Sequence, residues 1–311
     1  MTLPQAPVRT APDVQSYFAG AMLKIKHILV PTDFSDHCGA AARYSEALAI
    51  HFHAGVLLAH VAPEPPTEYR AFSETPWGSG PRSAEAWRES LDSRLKTEAG
   101  KLGLAASVET VLLSGDPAES IARLADEREV GLIVMPTHGR GLFRRMLLGS
   151  TTAKTLHDAD QPVLTGVHLG DETPFIKGGY KKIACAVGLR EPAHSEKVLR
   201  WAAEFASSWE AELLVVHTPP SLALADPEWL PPDTAELVRR AAREHVDKLL
   251  LETGAKATVH VGGGDPTRYV CELVKEENCD LLVVGRSFRR GLGGGDAYEF
   301  VRESACPVVS V

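Results

Sequence analysis

Ile28-Leu-Val-Pro-Thr-Asp33 is an apolar run that ends in a hydroxyl and a carboxylate, and a related run, Ile183-Ala-Cys-Ala-Val-Gly188, occurs in the second half of the chain. Two further segments are repeated in the same order: Gly115-Asp-Pro117 returns as Gly264-Asp-Pro266, and Ile133-Val-Met135 returns as Leu282-Val-Val284. The copies are 149 to 155 residues apart, far beyond the 20–50 residues of stacked repeats. The sequence therefore indicates duplication of a whole domain.

The bulk composition is that of a soluble globular protein. A chain of 311 residues suits two domains of ordinary size, and 44% hydrophobic with 24% charged residues is typical of this class. The net charge of −8 argues against bulk nucleic-acid binding, which needs a broad basic surface. No run is apolar over the roughly 18 residues of a membrane helix, and residues 1–21 lack the pattern of a secretory signal. We expect a cytoplasmic protein with no nucleic-acid or membrane partner, whose five cysteines are free thiols.

Each half alternates short β-branched apolar runs with longer segments of helical period, which is the pattern of a parallel sheet covered by helices. Five strands are expected in each half, near His27–Pro31, Gly55–Val61, Ser107–Leu113, Gly131–Pro136 and Pro162–Val167, then near Lys181–Val187, Glu212–His217, Thr258–Val261, Asp280–Gly285 and Pro307–Val311. Right-handed crossovers permit the strand order 3-2-1-4-5 with helices on both faces. The predicted fold class is α/β, with two tandem flavodoxin-like (Rossmann-like) domains.

The repeat also divides the chain. Residues 1–21 are interpreted as a flexible N-terminal arm, residues 22–168 as the first domain, residues 169–180 as the linker, and residues 181–311 as the second domain. Gly178-Gly179 supports the position of the linker, because glycine pairs are typical of flexible connections.

Ligands of open α/β sheets bind outside the carboxyl ends of the strands, where the winding changes direction. In the first half those ends carry Thr32-Asp33, Val61 and Thr137–Gly139. A phosphate chain needs backbone donors at close range, and Gly139 and Gly149 leave room for that approach. Ser150 is predicted to cap a helix that begins at Thr151. A helix start contributes only about 0.3–1 kcal/mol per anion, so hydroxyls of residues 150–152 and a charge from Arg140 or Lys154 are expected to add contacts.

Asp33 has the opposite charge and needs a different explanation. A carboxylate at the end of the first strand can accept hydrogen bonds from ribose hydroxyls or hold a metal beside phosphates. The alternative is that Asp33 caps the helix expected at Ser35–Phe52. A second helix start is expected at Asp116-Pro117, where Glu119 would complete a capping box.

Other catalytic and metal-binding patterns are weak. No Gly-x4-Gly-Lys-Ser/Thr stretch and no Gly-x-Ser-x-Gly stretch occurs. The spacing of His51, His53 and His60 does not favour a metal site, because it sends the side chains to different faces. His138 and Asp33 lie in the expected site, but efficient turnover is not indicated, because catalysis also needs a positioned nucleophile or water.

The segments Val30-Pro-Thr-Asp33-Phe-Ser, Gly115-Asp-Pro117, Val134-Met-Pro-Thr-His-Gly139-Arg-Gly and Leu148-Gly-Ser150 resemble the universal stress protein family in its tandem form. The resemblance covers nearly everything after Met22. The nucleotide-binding branch of the family has the pattern Gly-x2-Gly-x9-Gly-Ser/Thr, which Gly139, Gly149 and Ser150 match, whereas Pro136 replaces the first glycine. In the second half, Gly188 stands in place of Asp33, Phe288 stands near the position of Gly139, and Gly294-Gly295 lie opposite Gly149-Ser150.

The resemblance implies an ATP site in the first half, with adenine near Val61, ribose near Asp33 and phosphates along Gly139 to Thr151. The full set of predicted contacts is Pro31, Thr32, Asp33, Val61, Met135, Thr137, Gly139, Arg140, Gly149, Ser150 and Thr151. It also implies an internal pseudo-dimer that pairs through Pro162–Val167 and Pro307–Val311, with a homodimer of the whole chain left open. The expected function is a nucleotide-binding sensor or regulatory module in the stress response. The alternatives are a slow Mg²⁺-dependent ATP hydrolase or phosphotransfer enzyme, and a scaffold that binds no nucleotide.

Overall fold

A computed structural model describes residues 23–62, 84–102, 107–137, 148–166, 169, 178–224, 232–286 and 297–311. In this part of the chain ten strands form one sheet in the order β3-β2-β1-β4-β5-β10-β9-β6-β7-β8. The strands of the first half are β1 His27–Pro31, β2 Gly55–Ala62, β3 Val108–Ser114, β4 Leu132–Val134 and β5 Val163–Thr165. Those of the second half are β6 Lys182–Ala186, β7 Glu212–His217, β8 Thr258–Val261, β9 Leu281–Val284 and β10 Val308–Ser310.

Helices connect the strands of each half. In the first half they are α1 Asp36–Phe52, α2 Ala84–Ala99, α3 Pro117–Glu127 and α4 Ser150–Asp158. In the second half they are α5 Pro192–Ser208, α6 Pro220–Leu224, α7 Pro232–Thr253, α8 Pro266–Glu276 and α9 Ala297–Glu303. Within the described residues, no helix combines the length and apolar character needed to cross a bilayer. All five cysteines are free, as predicted.

The strand order confirms the doubly wound prediction. Within each half all strand pairs are parallel, and the order is 3-2-1-4-5 when the strands are numbered from the start of that half. Several strands are shorter than predicted: β4 lacks Met135 and Pro136, and β5 begins after Pro162. Proline has no N–H to donate to a sheet ladder. Pro162 still contributes as an acceptor, since its carbonyl binds the N–H of Ile133 at 2.9 Å.

The two halves join through their last strands, which confirms the predicted contact. β5 and β10 pair antiparallel, with Leu164 opposite Val309 and Val163 opposite Ser310. An antiparallel junction between two parallel sheets places the halves around a pseudo-twofold axis, as in an isologous dimer. The chain is therefore an internal pseudo-dimer with one continuous sheet.

The hydrophobic cores on the two faces of the sheet both contain residues from both halves. On one face, the hydroxyls of Tyr44 and Tyr180 lie 2.6 Å apart, and the ring of His51 stacks on Trp209 with centroids 3.4 Å apart. Gly179 has a φ of +73°, and a Cβ there would lie 2.7 Å from the Trp209 ring, so only glycine fits at this point of the chain. The packing ties the halves to each other as well as to the sheet.

Candidate functional site

A cleft of about 420 Å³ lies at the carboxyl ends of β1, β2 and β4, a size typical of small-molecule sites. Because β1 lies between β2 and β4, the direction in which successive strands are added to the sheet reverses at this point, as the sequence indicated. The lining residues are Pro31, Thr32, Asp33, Cys38, Ala59, His60, Val61, Pro117, Ile121, Met135, Pro136, Leu148, Gly149, Ser150, Thr151 and Thr152.

The cleft brings together eight of the predicted contact residues, namely Pro31, Thr32, Asp33, Val61, Met135, Gly149, Ser150 and Thr151. Thr137 is buried, and its carbonyl accepts a hydrogen bond of 2.8 Å from the N–H of Gly149. This bond fixes the start of α4 to the end of β4. Gly139 and Arg140 lie in residues 138–147, outside the described part of the chain.

The start of α4 differs from the prediction by one residue. The helix begins at Ser150 and its N-cap is Gly149, so Ser150 is not the cap. Gly149 has the extended conformation of a cap residue, with φ −59° and ψ 144°, and its carbonyl already accepts the first helical bond from Ala153. Because glycine has no side chain, no side-chain hydrogen bond caps this helix. Among the described residues, no capping oxygen therefore meets the first N–H groups of α4, which lie at the cleft.

The start of the neighbouring helix, α3, is capped by a side chain of the protein. Asp116 caps α3 by accepting a hydrogen bond of 3.1 Å from the N–H of Glu119. The predicted capping box is not formed, since the Glu119 carboxylate accepts a 3.0 Å bond from Lys154 instead. Lys154 also donates to Asp116 at 3.1 Å. Its ammonium thus pairs with two carboxylates at the start of α3, and its contact with phosphate, the alternative to one from Arg140, stays a prediction.

Asp33 is held by the residues that follow it. Its Oδ1 accepts a 2.9 Å hydrogen bond from the N–H of Ser35 and a 3.1 Å bond from the Cys38 thiol. Ser35 is the N-cap of α1, because its hydroxyl accepts from the N–H of Cys38. The alternative role of Asp33 as the cap of α1 is therefore wrong. Burial raises the pKa of Cys38 to about 11, so the thiol is a protonated donor at neutral pH.

His60 belongs to the cleft, although the sequence suggested no role for it there. Its Nδ1–H donates to the carbonyl of Thr32 at 2.7 Å, and its ring lies 4.3 Å from that of Phe34, centroid to centroid. Phe34 has a φ of +64° and its N–H donates to the Thr32 hydroxyl at 3.0 Å. The sequence could have indicated this role, because His60 is a polar residue near the carboxyl end of β2, directly before the predicted contact Val61. His51 stacks on Trp209 instead, and the described residues contain no cluster of three metal-ligating side chains.

The second half has the same strand arrangement at the position equivalent to the cleft, but different side chains at the strand ends. His217 donates from Nδ1 to the carbonyl of Val187 at 2.8 Å, just as His60 does to Thr32. Gly188 supplies no carboxylate where the first half has Asp33. At the end of β9, a Cβ on Gly285 would lie 2.5 Å from Nε2 of His194, so that imidazole packs directly on the glycine. The predicted counterparts Phe288 and Gly294-Gly295 fall outside the described residues.

Acid is expected to destabilise the protein through three histidines. Burial lowers the pKa of His51, His194 and His217, because it disfavours the charged imidazolium. In the unfolded chain these groups titrate near pH 6.5, so the unfolded state binds more protons as the pH falls through that value. We expect the melting temperature to be constant above about pH 7.5 and to fall between about pH 6.5 and 5.

Thermal unfolding followed by circular dichroism across this range checks the expectation. His217→Asn should flatten the dependence, because His217 is the most deeply buried of the three, with 5% of its surface exposed. A melting temperature that rises on acidification would contradict the assignment of these groups.

The fold and the cleft define a tandem, doubly wound α/β protein with a ligand site at the topological switch point of its first half. The model of the universal stress protein family matches residues 24–165 and 179–311. The chain belongs to the universal stress protein family, as its motifs indicated.

Two relatives are single-domain matches. A universal stress protein of Thermus aquaticus is 34% identical over 141 residues, which cover 45% of this chain and 96% of the relative. A universal stress protein of Methanocaldococcus jannaschii is 29% identical over 150 residues, covering 45% of this chain and 93% of the relative. Each relative therefore corresponds to about half of the present chain.

A solved structure matches the whole arrangement. The crystal structure of a universal stress protein from Archaeoglobus fulgidus aligns with a TM-score of 0.64 at 20% identity, covering 91% of this chain and 97% of the other. Similarity at this level shows that the tandem fold is shared.

Proposed function

We propose that the cleft of the first half binds an adenine nucleotide, with ATP as the favoured ligand, and that the protein acts as a sensor or regulatory module in the stress response. The observation that carries the proposal is the start of α4. Three helix starts contribute residues to the cleft: α1 is capped by Ser35 and α3 by Asp116, whereas α4 begins at Ser150 after Gly149, with no side-chain cap among the described residues. An anion at α4 would satisfy N–H donors that no described side chain caps.

The nucleotide is proposed to lie along the cleft from α4 to β2. Its phosphates would accept from the backbone N–H groups of residues 150–152 and from the hydroxyls of Ser150 and Thr151, because the Thr152 hydroxyl already donates to the carbonyl of Pro136 at 3.0 Å. Its ribose would bind Asp33, and its adenine would rest against Val61. Pro31, Thr32 and Met135 would complete the walls, and Thr137 would support the site by holding the N–H of Gly149. Gly139 and Arg140, in residues 138–147, are proposed to approach the phosphates.

The free energy of nucleotide binding requires all of these contacts together. A helix start contributes at most roughly 2 kcal/mol to anion binding, whereas micromolar affinity corresponds to about 8.2 kcal/mol. The apolar side chains of Ile121 and Met135, which also line the cleft, supply the surface that a purine ring would bury. The proposal therefore predicts that adenosine alone binds weakly and that each phosphate adds affinity.

Magnesium is proposed to enter only with the phosphates. Mg²⁺ is commonly held by one or two carboxylates together with substrate phosphates, and Asp33 is the carboxylate that lines the cleft. Its Oδ1 already accepts from Ser35 and Cys38, so this arrangement favours holding a ribose or a hydrated ion. We therefore favour the proposed sensor or regulatory role over rapid hydrolysis, for which the cleft would also need a positioned water or nucleophile.

The second half is proposed to bind no nucleotide, because Gly188 replaces the acid and His194 packs where the loop after β9 begins. For the organisation of the chain we propose an N-terminal arm of residues 1–21, a first domain of residues 22–168, a linker of residues 169–180 and a second domain of residues 181–311.

A cytoplasmic location is proposed together with ATP as the ligand. Any homodimer would form between whole chains whose two halves are already paired with each other.

The test is the nucleotide content of freshly purified full-length protein, measured by denaturing the sample and separating the released bases by chromatography. The sensor role requires ATP that is released intact and rebinds on titration. ADP that accumulates with Mg²⁺ and depends on Asp33 would instead support the hydrolase. Protein that is empty and also fails titration with ATP would refute nucleotide binding and support the scaffold.

A further inference from the structure

Arg286 is a buried arginine at the end of β9, with only 9% of its surface exposed. It occupies the position in the second half that Thr137 has in the first. Leu132 and Leu281 pair with equivalent residues of the first strands, and Thr137 and Arg286 each follow five positions later. The two halves thus place very different side chains at the same point beside their switch points.

The guanidinium of Arg286 connects the two halves. On its own side, Nε donates to the hydroxyl of Ser310 at 3.2 Å and Nη2 donates to the Ser310 carbonyl at 3.0 Å. On the other side, Nη1 donates to the carbonyl of Ala159 and Nη2 to the carbonyl of Gln161. Ala159 is the C-cap of α4. One side chain therefore fixes β10 of the second half to the turn that follows α4 in the first.

The positive charge of Arg286 is favourable at the C-terminal end of α4. The last carbonyls of a helix lack intrahelical donors, and a cation at the C-terminus interacts favourably with the helix dipole. Burial lowers the pKa of Arg286 to about 10, and the group remains a cation at neutral pH. The rigid fork of donors allows one guanidinium to bridge several carbonyls, which a lysine ammonium does less well.

The helix that Arg286 holds is the helix whose other end forms the proposed anion site. α4 has nine residues, so its two ends are only about 13 Å apart. Because a short helix moves as a rigid rod, a change of position at Ala159 is transmitted to Gly149. The N–H groups at its start are useful to phosphate only if they are held in position.

We propose that Arg286, supplied by the half with the altered motif, is a positioning residue for the anion site of the other half. It clamps the C-terminal end of α4 and thereby orients the N–H groups at the start of that helix. The ligand part of this inference rests on the proposed nucleotide binding, whereas the clamping of α4 does not. The second half then has a function without binding a ligand of its own.

The experiment compares Arg286→Met and Arg286→Lys with the wild type, all as full-length protein. Arg268→Met is the matched control, because Arg268 is an exposed arginine of the same half that pairs with Glu272. Two quantities are measured: hydrogen exchange of the backbone amides of α4 in ligand-free protein, and the dissociation constants of ATP and of adenosine. Adenosine lacks phosphate, so its affinity reports on the rest of the cleft.

For Arg286→Met we expect faster exchange along α4 and about tenfold weaker ATP binding, with adenosine affinity changed by less than about twofold. Arg286→Lys should fall between this variant and the wild type, and it carries the test if Arg286→Met does not fold. The control should match the wild type. Equal losses for ATP and adenosine, or unchanged ATP affinity in a folded variant, would overturn the inference.

The exchange measurement separates this inference from the proposed function. If the wild type binds no nucleotide, the proposed function and the effect on the anion site both fail. Faster exchange in α4 would then still support the clamp, and unchanged exchange would overturn it as well.

Discussion

Gly149→Asp is expected to weaken ATP binding by at least about 100-fold, or about 2.8 kcal/mol, while the protein stays folded. Gly149 is the N-cap of α4 at φ −59° and ψ 144°, a conformation open to any L-residue. Aspartate is a preferred cap residue, so the new carboxylate would accept from the N–H groups at the start of the helix and stabilise it slightly. The same carboxylate would occupy the place of the phosphates and repel them.

Isothermal titration with ATP and a thermal melt of the free protein measure the two effects. The matched control is Gly149→Asn, which has nearly the same shape and capping ability without the charge. Its loss of affinity should be clearly smaller than that of Gly149→Asp. If ATP binds Gly149→Asp as it binds the wild type, the phosphates do not lie at α4.

Phe205→Ala is expected to lower the free energy of unfolding of the whole protein by about 3–5 kcal/mol. The Phe205 side chain is fully buried on α5, with its ring centroid 4.8 Å from that of Trp201 and 5.4 Å from that of Tyr180. Its ring also lies 5.6 Å from that of Phe52 in the first half. Because the core on this face is continuous across the halves, we expect one unfolding transition that shifts as a unit.

Denaturant unfolding followed by both tryptophan fluorescence and far-ultraviolet circular dichroism measures this change. Leu251→Ala is the control, because Leu251 is 83% exposed and such surface changes usually stay within about 0.5 kcal/mol. Two separate transitions, only one of which moves in Phe205→Ala, would show that the halves unfold independently.

The architecture could be predicted from the sequence because it depends on patterns that recur along the chain. Apolar runs such as Ile28–Pro31 and the alternation of runs with helical segments defined the strands and their order. The carboxyl ends of those strands then located the cleft, since β1 and β4 must be neighbours for Asp33 and Gly149 to face each other. Pairing through β5 and β10 followed from the family resemblance.

The hydrogen-bond and ion-pair partners of individual side chains could not be predicted, because several suitable partners lie close together in each case. Ser35 and Asp33 both have oxygens suited to capping α1, and only the backbone conformation at Ser35 decides between them. Lys154 pairs with Asp116 and Glu119, and the sequence did not indicate this pairing. Arg286 follows an apolar run, and no local pattern shows that its partners are carbonyls about 125 residues earlier in the chain.

The two halves differ in the side chains that lie at and beside their switch points. The first half has Asp33 at its cleft and a helix start that no described side chain caps. In the second half, Arg286 follows β9 and His194 of α5 packs against Gly285. A family domain that pairs with a second copy can assign ligand binding to one copy and support to the other. In the tandem chain the two copies can diverge separately, which would allow the proposed division between nucleotide binding in the first half and positioning in the second.

We propose that each chain binds one nucleotide, in the first half, between Asp33 and the start of α4. The most direct measurement is a crystal structure of the full-length wild-type protein grown with excess ATP. We expect density for one nucleotide per chain, with its phosphates against Gly149 and Ser150 and its ribose at Asp33. Density in the second half, or in neither half, would contradict the claim.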